Sequence, residues 1–492
     1  MLKFSSPEQE VRYEKLQGLR EKGVEPFVHT FNRTHPIGPI CEKFAHLEGE
    51  MTSPEPVTIA GRLMAKRGHG KATFGNVMDE SGSIQYYANL DTLGEDNYNQ
   101  LLHLDMGDII GVTGLVFRSK KGELSIRVAS YQLLTKALHP LPEKYHGLQD
   151  KELRYRERYV DLIVNEDVRK VFQTRSKIIR NIRQFLDNQG FMEVETPVLH
   201  SIYGGAAARP FTTFHNDLSQ SLYLRIALEL HLKRLIVGGF EKIFEIGRVF
   251  RNEGVSFKHN PEYTLLELYQ AYADYNDVMA LTETLLSTLV KDATGSYVLS
   301  YQGRDIDFKP PFKRLTLKQA LLEYAKVDMD ADEEILRQKA ASLGLDISQK
   351  PLRGQLVQFI YDKEVEDQLI QPIFIIDYPW ETSPLAKRKR GNPNLVERFE
   401  LIISGMEIAN AFSELNDPID QHARFEDQMK AKAAGFEDAH EMDEDFVNAL
   451  TYGMPPTGGL GIGIDRVVML LTDSTTIRDV LFFPHMKTKE KE

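Results

Sequence analysis

The sequence predicts an α+β chain in two unlike parts, a small β-barrel near the N-terminus and a larger domain around an antiparallel sheet. Three observations lead there. The chain has 492 residues, too many for one ordinary core. Residues 57–134 read as a run of short strands rich in β-branched and aromatic residues. Beyond Pro140-Leu141-Pro142, longer strands and helices follow one another without regular βαβ alternation.

The elements come in order. Glu8 to Glu21 reads as a helix with Val11, Leu16 and Leu19 on a rough apolar stripe, and Pro36, Pro39, Pro54 and Pro56 mark loops after it. Val57-Leu63, Thr73-Met78, Ser83-Ala88, Asp108-Phe117 and Glu123-Leu134 are the five strands, with turns at residues 67–70, 79–82 and 120–122. A helical stretch over Glu95-Leu104 sits between the third and fourth strands. Five strands with a helix after the third suggest an OB-fold barrel, a platform for single-stranded nucleic acid. A charge-dense segment from Lys151 to Tyr159 precedes a long amphipathic helix, about Asp167 to Asn188. Val171, Ile178, Ile179, Ile182, Phe185 and Leu186 give that helix its stripe, and Gly190 is its expected C-terminal stop. The expected organisation is an N-terminal helical extension over 1–54, the barrel over 55–140, a linker over 141–165 and the large domain over 166–492.

Composition narrows the setting. Hydrophobic residues make up 42% and charged residues 27%, as in ordinary globular proteins. No apolar run is long enough to cross a bilayer, and the N-terminus lacks the apolar core of a signal peptide, so no membrane partner is expected. Cys41 is the single cysteine, which excludes an internal disulfide and a cysteine-based zinc site and points to a reducing, cytoplasmic home. The net charge of -12 argues against a general nucleic-acid binder, although a local basic face can still steer RNA.

Three segments carry chemistry. The first, Gly190 to Leu199, is a helix end and a short strand stopped by Pro197. In the second, two strands flank a polar loop: Phe244 to Glu253, then Glu262 to Tyr269. A two-residue period puts Arg251 and Glu253 on one face and Tyr263, Leu265, Glu267 and Tyr269 on one face of the return strand. An arginine can grip phosphate or carboxylate and an aromatic can stack on a purine, so the pair suits an anionic, planar ligand. Lys258 and His259 in the loop are placed to reach further phosphates. The third segment, Gly458 to Leu471, crowds glycines into a strand before an apolar helix, which lets a ligand approach the backbone, with Arg466 near the helix start. Upstream, Glu400, Glu407 and Glu414 lie in a mostly apolar stretch, where carboxylates need cations. Oxygen ligands beside phosphates suit magnesium; a structural ion-pair network is the alternative.

In this order the three segments resemble motifs 1, 2 and 3 of class II aminoacyl-tRNA synthetases, and the resemblance spans nearly the whole chain. A barrel ahead of the catalytic domain resembles the arrangement of the aspartyl, asparaginyl and lysyl enzymes. Residues 204–211, 259–262, 383–387 and 410–416 look like those of the bacterial lysyl branch. The resemblance implies a class II antiparallel-sheet catalytic domain that activates L-lysine with ATP and passes the lysyl group to tRNA(Lys). It implies Arg251, Glu253 and Arg466 as catalytic residues, with Arg251 on the α-phosphate and lysine carboxylate and Arg466 on the γ-phosphate. Glu253, His259 and Tyr263 complete the ATP contacts, Tyr263 stacking where the family often has phenylalanine. Gly205 and Glu229 would meet the lysine α-amino group, Asn410 its carboxylate, and Glu414 and Tyr269 its ε-ammonium, with Glu267 also among the lysine-binding residues. Glu400 and Glu407 would hold Mg2+ bound with ATP. Arg67, Phe74 and Gln85 would read the anticodon. Lys258 stands where bacterial relatives often have arginine, keeping the charge without the bidentate fork. Motif 1 implies a homodimer. Two rivals are a paralogue that lysylates a protein, which would lack the barrel, and a non-catalytic tRNA-binding relative, which would have lost the motif arginines and carboxylates.

Overall fold

The computed structural model describes residues 6–49, 51–142, 148–349, 351–433 and 440–488. Residues 1–5 of the expected N-terminal extension and 143–147 of the expected linker lie outside the described residues. Contacts divide the chain into two units, Met1–Gln149 and Asp150–Glu492.

In the first unit the strands β1 (Val57–His69), β2 (Ala72–Met78), β3 (Ser83–Asn89), β4 (Ile109–Arg118) and β5 (Leu124–Thr135) close a barrel in the order β1-β2-β3-β5-β4. The β3–β5 pairing is parallel and the others are antiparallel. Inward Ile59, Leu63, Val77, Ile84, Tyr86, Ile110, Val112 and Ile126 fill it, as a two-residue period on one-sided strands requires. The helix Glu95–His103 follows β3 as expected, preceded by one turn over Leu90–Leu93. The expected turn over residues 67–70 is tighter, because β1 continues to His69. The helix Pro7–Glu21 is capped by Ser6. Its buried face is Gln9, Arg12 and Leu16, whereas Val11 is half exposed. The reason is polar: Arg12 Nη1 donates to the carbonyls of Met106, Ala137 and His139 and turns the helix about that anchor. Cys41, on the helix Ile37–Lys43, is a free, partly buried thiol.

The second unit is built on one sheet. Its strands are β6 (Met192–Glu193), β7 (Lys242–Phe250), β8 (Glu262–Ala271), β9 (Lys313–Thr316), β10 (Ile373–Pro379), β11 (Asn392–Ile403), β12 (Met406–Ser413) and β13 (Thr457–Gly463). They run in the order β9-β10-β11-β12-β13-β8-β7-β6, with a short strand Arg388–Lys389 beside β11. The six central strands pair antiparallel and only the outermost pairs are parallel. The long helix Glu166–Asn188 buries Val168, Phe172, Ile178, Ile182 and Leu186, and Gly190 follows its end at φ +80°. With the helix Tyr275–Thr294 it covers one face of the sheet.

The stretch 151–165, expected as linker, is helical over Lys151–Arg156 and Arg158–Val164. Buried Asp161 accepts from Arg154 and Arg158, and Arg158 also donates to the carbonyls of Arg478, Leu481 and Phe482. That network ties the segment to the C-terminal end of its own unit, which the charge density alone did not reveal. Among the described residues no helix is long and apolar enough to cross a membrane.

Candidate active site

The uncovered face of the sheet opens into a cavity of about 1440 Å3, more than one small ligand fills. The strand register explains its floor. Glu267 of β8, Gly461 of β13, Asn410 of β12 and Glu400 of β11 stand in one cross-strand row. Tyr269, Gly459, Phe412 and Arg398 form the next. All eight line the cavity. Glycine at every second position of β13, Gly459, Gly461 and Gly463, clears the middle of the floor. At Gly459 a Cβ would strike Glu414 Oε1 and come within 2.6 Å of the Tyr269 ring. A register shift between β11 and β12 at Leu401/Ile402 breaks the alternation, so Glu407 and Asn410 both face the cavity.

All thirteen residues expected at the active site line this cavity: Gly205, Glu229, Arg251, Glu253, His259, Tyr263, Glu267, Tyr269, Glu400, Glu407, Asn410, Glu414 and Arg466. One local argument fails. Strand β7 ends at Phe250, so Arg251 and Glu253 do not share a strand face. The loop beyond places them instead: Arg251 N donates to Pro261 O at 2.8 Å and Glu253 N to Arg251 O at 2.9 Å. The Arg251 guanidinium lies 5.4 Å from the Tyr263 ring centre and donates to Ile226 O. Gly205 adopts φ +87°, and a Cβ there would press within 2.9 Å of Ala227 Cβ.

One end of the cavity brings together Arg466, His259 and the carboxylates Glu400 and Glu407. Arg466, in the first turn of the helix Ile464–Leu471, donates to Glu407 O at 2.5 Å and lies 3.4 Å from Glu407 Oε2 and from His259 Nε2. Burial, and then Arg466, depress the His259 pKa and favour the neutral ring. Lys258 is not free to reach outward. Its Nζ donates to Gly405 O at 2.6 Å and pairs with Glu366 and Asp367, so it anchors the loop. Buried Glu400 accepts from Arg398 Nη2 at 2.5 Å and from the Tyr378 hydroxyl at 2.8 Å. Burial nevertheless pushes it up to about 8, with Glu407 adding to the rise against Arg398. A hard cation shared by Glu400 and Glu407 would remove that conflict, so the donor set fits magnesium. Among the described residues no three His, Cys, Asp or Glu side chains are grouped to hold a metal ion.

The other end is acidic and buried. Glu267 accepts from Leu228 N and from the Tyr269 hydroxyl, both at 3.0 Å, and burial, with Glu229 nearby, lifts it to about 8. Glu414 is 1% exposed and its Oε1 has no hydrogen-bond partner. Burial raises its pKa well above the carboxylate range. Sequence reading missed Lys233, Arg398 and Asp465. Lys233 follows Glu229 by four residues on one helix, a readable signal, and Arg398 alternates with Glu400 on a strand. Asp465 accepts from Arg175 and from Thr264 N, fastening β8 to two helices.

On the barrel, Arg67, Phe74, Tyr87 and Arg127 make one row across β1, β2, β3 and β5. The Phe74 and Tyr87 rings lie 4.9 Å apart. Gln85 is buried, its amide donating to Glu123 and accepting from Ser125 Oγ at 3.0 Å. It reaches a base edge only by exchanging those partners.

Comparisons with known proteins agree with this geometry. Residues 150–487 match the family model for tRNA synthetases class II (D, K and N), and residues 57–134 match an OB-fold nucleic acid binding domain. The chain is 56% identical over 483 residues to a lysine–tRNA ligase of Moorella thermoacetica, covering 98% of each chain. It is 52% identical over 484 residues to that of Bacillus subtilis, covering 98% of this chain and 97% of the relative. An antiparallel sheet whose cavity is lined by the second and third motif segments, with a barrel earlier in the chain, agrees with both family matches: the chain belongs to the class II tRNA synthetases of the D, K and N group.

Proposed function

We propose that the chain is a lysine–tRNA ligase, which activates L-lysine with ATP to lysyl-adenylate and pyrophosphate and transfers the lysyl group to the 3′ end of tRNA(Lys). One observation carries the amino-acid assignment: the buried Glu414 carboxylate, its Oε1 unpartnered, stands over Gly459 in the cavity. Lys233 answers only its other oxygen, so Oε1 still calls for a cationic donor, and substrates without one leave that buried oxygen unpaired, which is penalised strongly. An aspartate-selective pocket would need the opposite charge there.

The remaining roles are those that the resemblance implies for residues lining the cavity. Glu229 and Gly205 meet the lysine α-amino group, Asn410 and Arg251 its carboxylate, and Glu414 and Tyr269 its ε-ammonium, with Glu267 also among the lysine-binding residues. Arg251 and Glu253 position the α-phosphate region, Tyr263 stacks adenine, and Arg466 with His259 meets the distal phosphates. Glu400 and Glu407 would hold Mg2+ with ATP; when bound, the ion would neutralise phosphate charge. The side chains orient the lysine carboxylate for attack on the α-phosphorus and steady the departing pyrophosphate, so positioning and charge do the work without a general base. Phe74, Arg67 and Gln85 read the anticodon by stacking and edge contacts. The barrel weighs against a protein-lysylating paralogue, and the intact Arg251, Glu400, Glu407 and Arg466 weigh against a non-catalytic relative. A homodimer in the cytoplasm completes the proposal: Met192, Val198 and Leu199 of the first motif segment are substantially exposed, and one cysteine in 492 residues suits a reducing compartment.

ATP–pyrophosphate exchange with each amino acid in turn tests the assignment. Exchange with lysine alone is expected. Exchange with aspartate or asparagine would overturn the pocket assignment, and none with any amino acid would overturn the activity. Sedimentation of the purified chain tests the dimer.

A further inference from the structure

Three buried glutamates converge at the acidic end of the cavity: Glu229, Glu267 and Glu414. A buried ammonium answers two of them from behind. Lys233 is wholly inaccessible, and its Nζ lies 2.6 Å from Glu229 Oε1 and in contact with Glu414 Oε2. The cavity lining includes both glutamates but not Lys233. Among the described residues, the carboxylates that act most strongly on Lys233 are Glu229 and Glu414. The Phe412 and Phe446 rings lie 5.5 and 5.8 Å from Nζ. Nearby His440 is buried with Nδ1 unpartnered, and burial, with Lys233 second, pushes it down to about 4 and keeps it neutral.

A core ion pair kept only for stability can often be replaced by well-packed apolar residues at little cost. Here one ammonium joins a carboxylate from its own helix to another that follows β12, distant in the chain, and both face the ligand space. The charge count is specific. With all three carboxylates ionised, as an incoming cation requires, they and one ammonium leave two negative charges, and free lysine brings two ammonium groups. We propose that Lys233 is a positioning residue of the lysine subsite, a resident ammonium that bridges Glu229 and Glu414, fixes one oxygen of each, and leaves the cluster open to two incoming ammonium groups. This rests on the lysine reading of the same site.

Without the bridge, Glu229 and Glu414 repel each other and one takes up a proton. The incoming lysine then meets a carboxyl group where it needs a carboxylate. Glu267, the Tyr269 hydroxyl and Arg251 face the same space and remain, as do Phe412, Phe446 and His440 around the vacated position. The ATP end, at Tyr263 and Arg466, is not touched.

The test is lysine-dependent pyrophosphate exchange by the full chain carrying Lys233→Met, with Lys233→Gln as a second variant whose amide can still donate to the two carboxylates. Wild-type exchange with lysine comes first, because its absence would sink the lysine reading and not this inference. The expected result is a KM for lysine raised by about tenfold or more while KM for ATP and kcat change by less than about threefold. The lysine defect should shrink as pH rises, as the proton on the unbridged pair is lost. A folded variant with a KM for lysine near that of the wild type would overturn the proposal, as would equal defects for lysine and ATP, or a defect independent of pH. Failure of both variants to fold would assign Lys233 to core stability instead.

Discussion

Arg466 Nη1 donates to the main-chain oxygen of Glu407 at 2.5 Å and lies 3.4 Å from its carboxylate. The arginine proposed for the distal phosphates is thereby held beside a carboxylate proposed for the metal. Arg466→Ala should cut the rate of lysine-dependent exchange by about 100-fold or more, as loss of one pre-placed charged donor does. Arg466→Lys should recover little, because a point charge cannot hold the carbonyl and a phosphate together. KM for lysine should stay near that of the wild type in both; a lysine-specific defect would count against the division of the cavity.

Glu414→Gln should lower kcat/KM for lysine by about 1000-fold or more and leave ATP binding intact, since the amide neither carries charge nor accepts as strongly. Gly459→Ala should mimic it by a different route, because the new methyl displaces the Glu414 carboxylate and the Tyr269 ring. Equilibrium binding of ATP and lysine to each variant separates the two ends of the site. Unchanged lysine binding in Gly459→Ala would contradict the geometry.

The pH dependence has a definite sign. Burial, and Glu229 beside it, lift Glu267 to about 8, far above its value in the unfolded chain. Between about 4.5 and 8 the folded, unliganded protein therefore holds a proton that the unfolded chain has released, so this group's contribution to stability falls as pH rises through that window. Lysine needs the ionised carboxylate and expels the proton. Its KM should fall as pH rises from about 6 towards 8, by at most about tenfold per unit, and then level off. A flat KM for lysine over that range would show Glu267 already ionised in the empty site.

On the barrel, Phe74→Ala should raise KM for tRNA(Lys) by about tenfold, the worth of one stacked base, and leave lysine-dependent exchange untouched. Aminoacylation and exchange measured on one preparation decide it, since loss of exchange would mean the substitution had damaged more than RNA binding.

The barrel was almost wholly legible in the sequence, because one-sided strands write their burial as alternation and their turns as glycine and polar clusters. The acidic stretch was legible as chemistry too, since Glu400, Glu407 and Glu414 among apolar residues call for cations, but sequence alone left a ligand and an ion-pair network open, and the structure shows Arg398 and Lys233 answering two of them. What sequence left hidden was set by register and by partners remote in the chain. The Glu267–Gly461–Asn410–Glu400 row exists only once four strands are aligned. The helical turn of 151–164 depends on carbonyls more than 300 residues away. Arg251 and Glu253 were assigned to a strand by periodicity, but the loop carries them to the cavity wall.

The bare floor at Gly459 bears on how such a site responds to selection. A compound that seats an ammonium on Glu414 over Gly459 occupies space that the enzyme keeps clear for its own substrate. Added bulk at 459 collides with the carboxylate, and a change at 414 removes the charge that lysine needs. Both of the simplest escape mutations therefore carry the cost of the reaction itself, which makes this corner of the cavity a durable target for inhibitors.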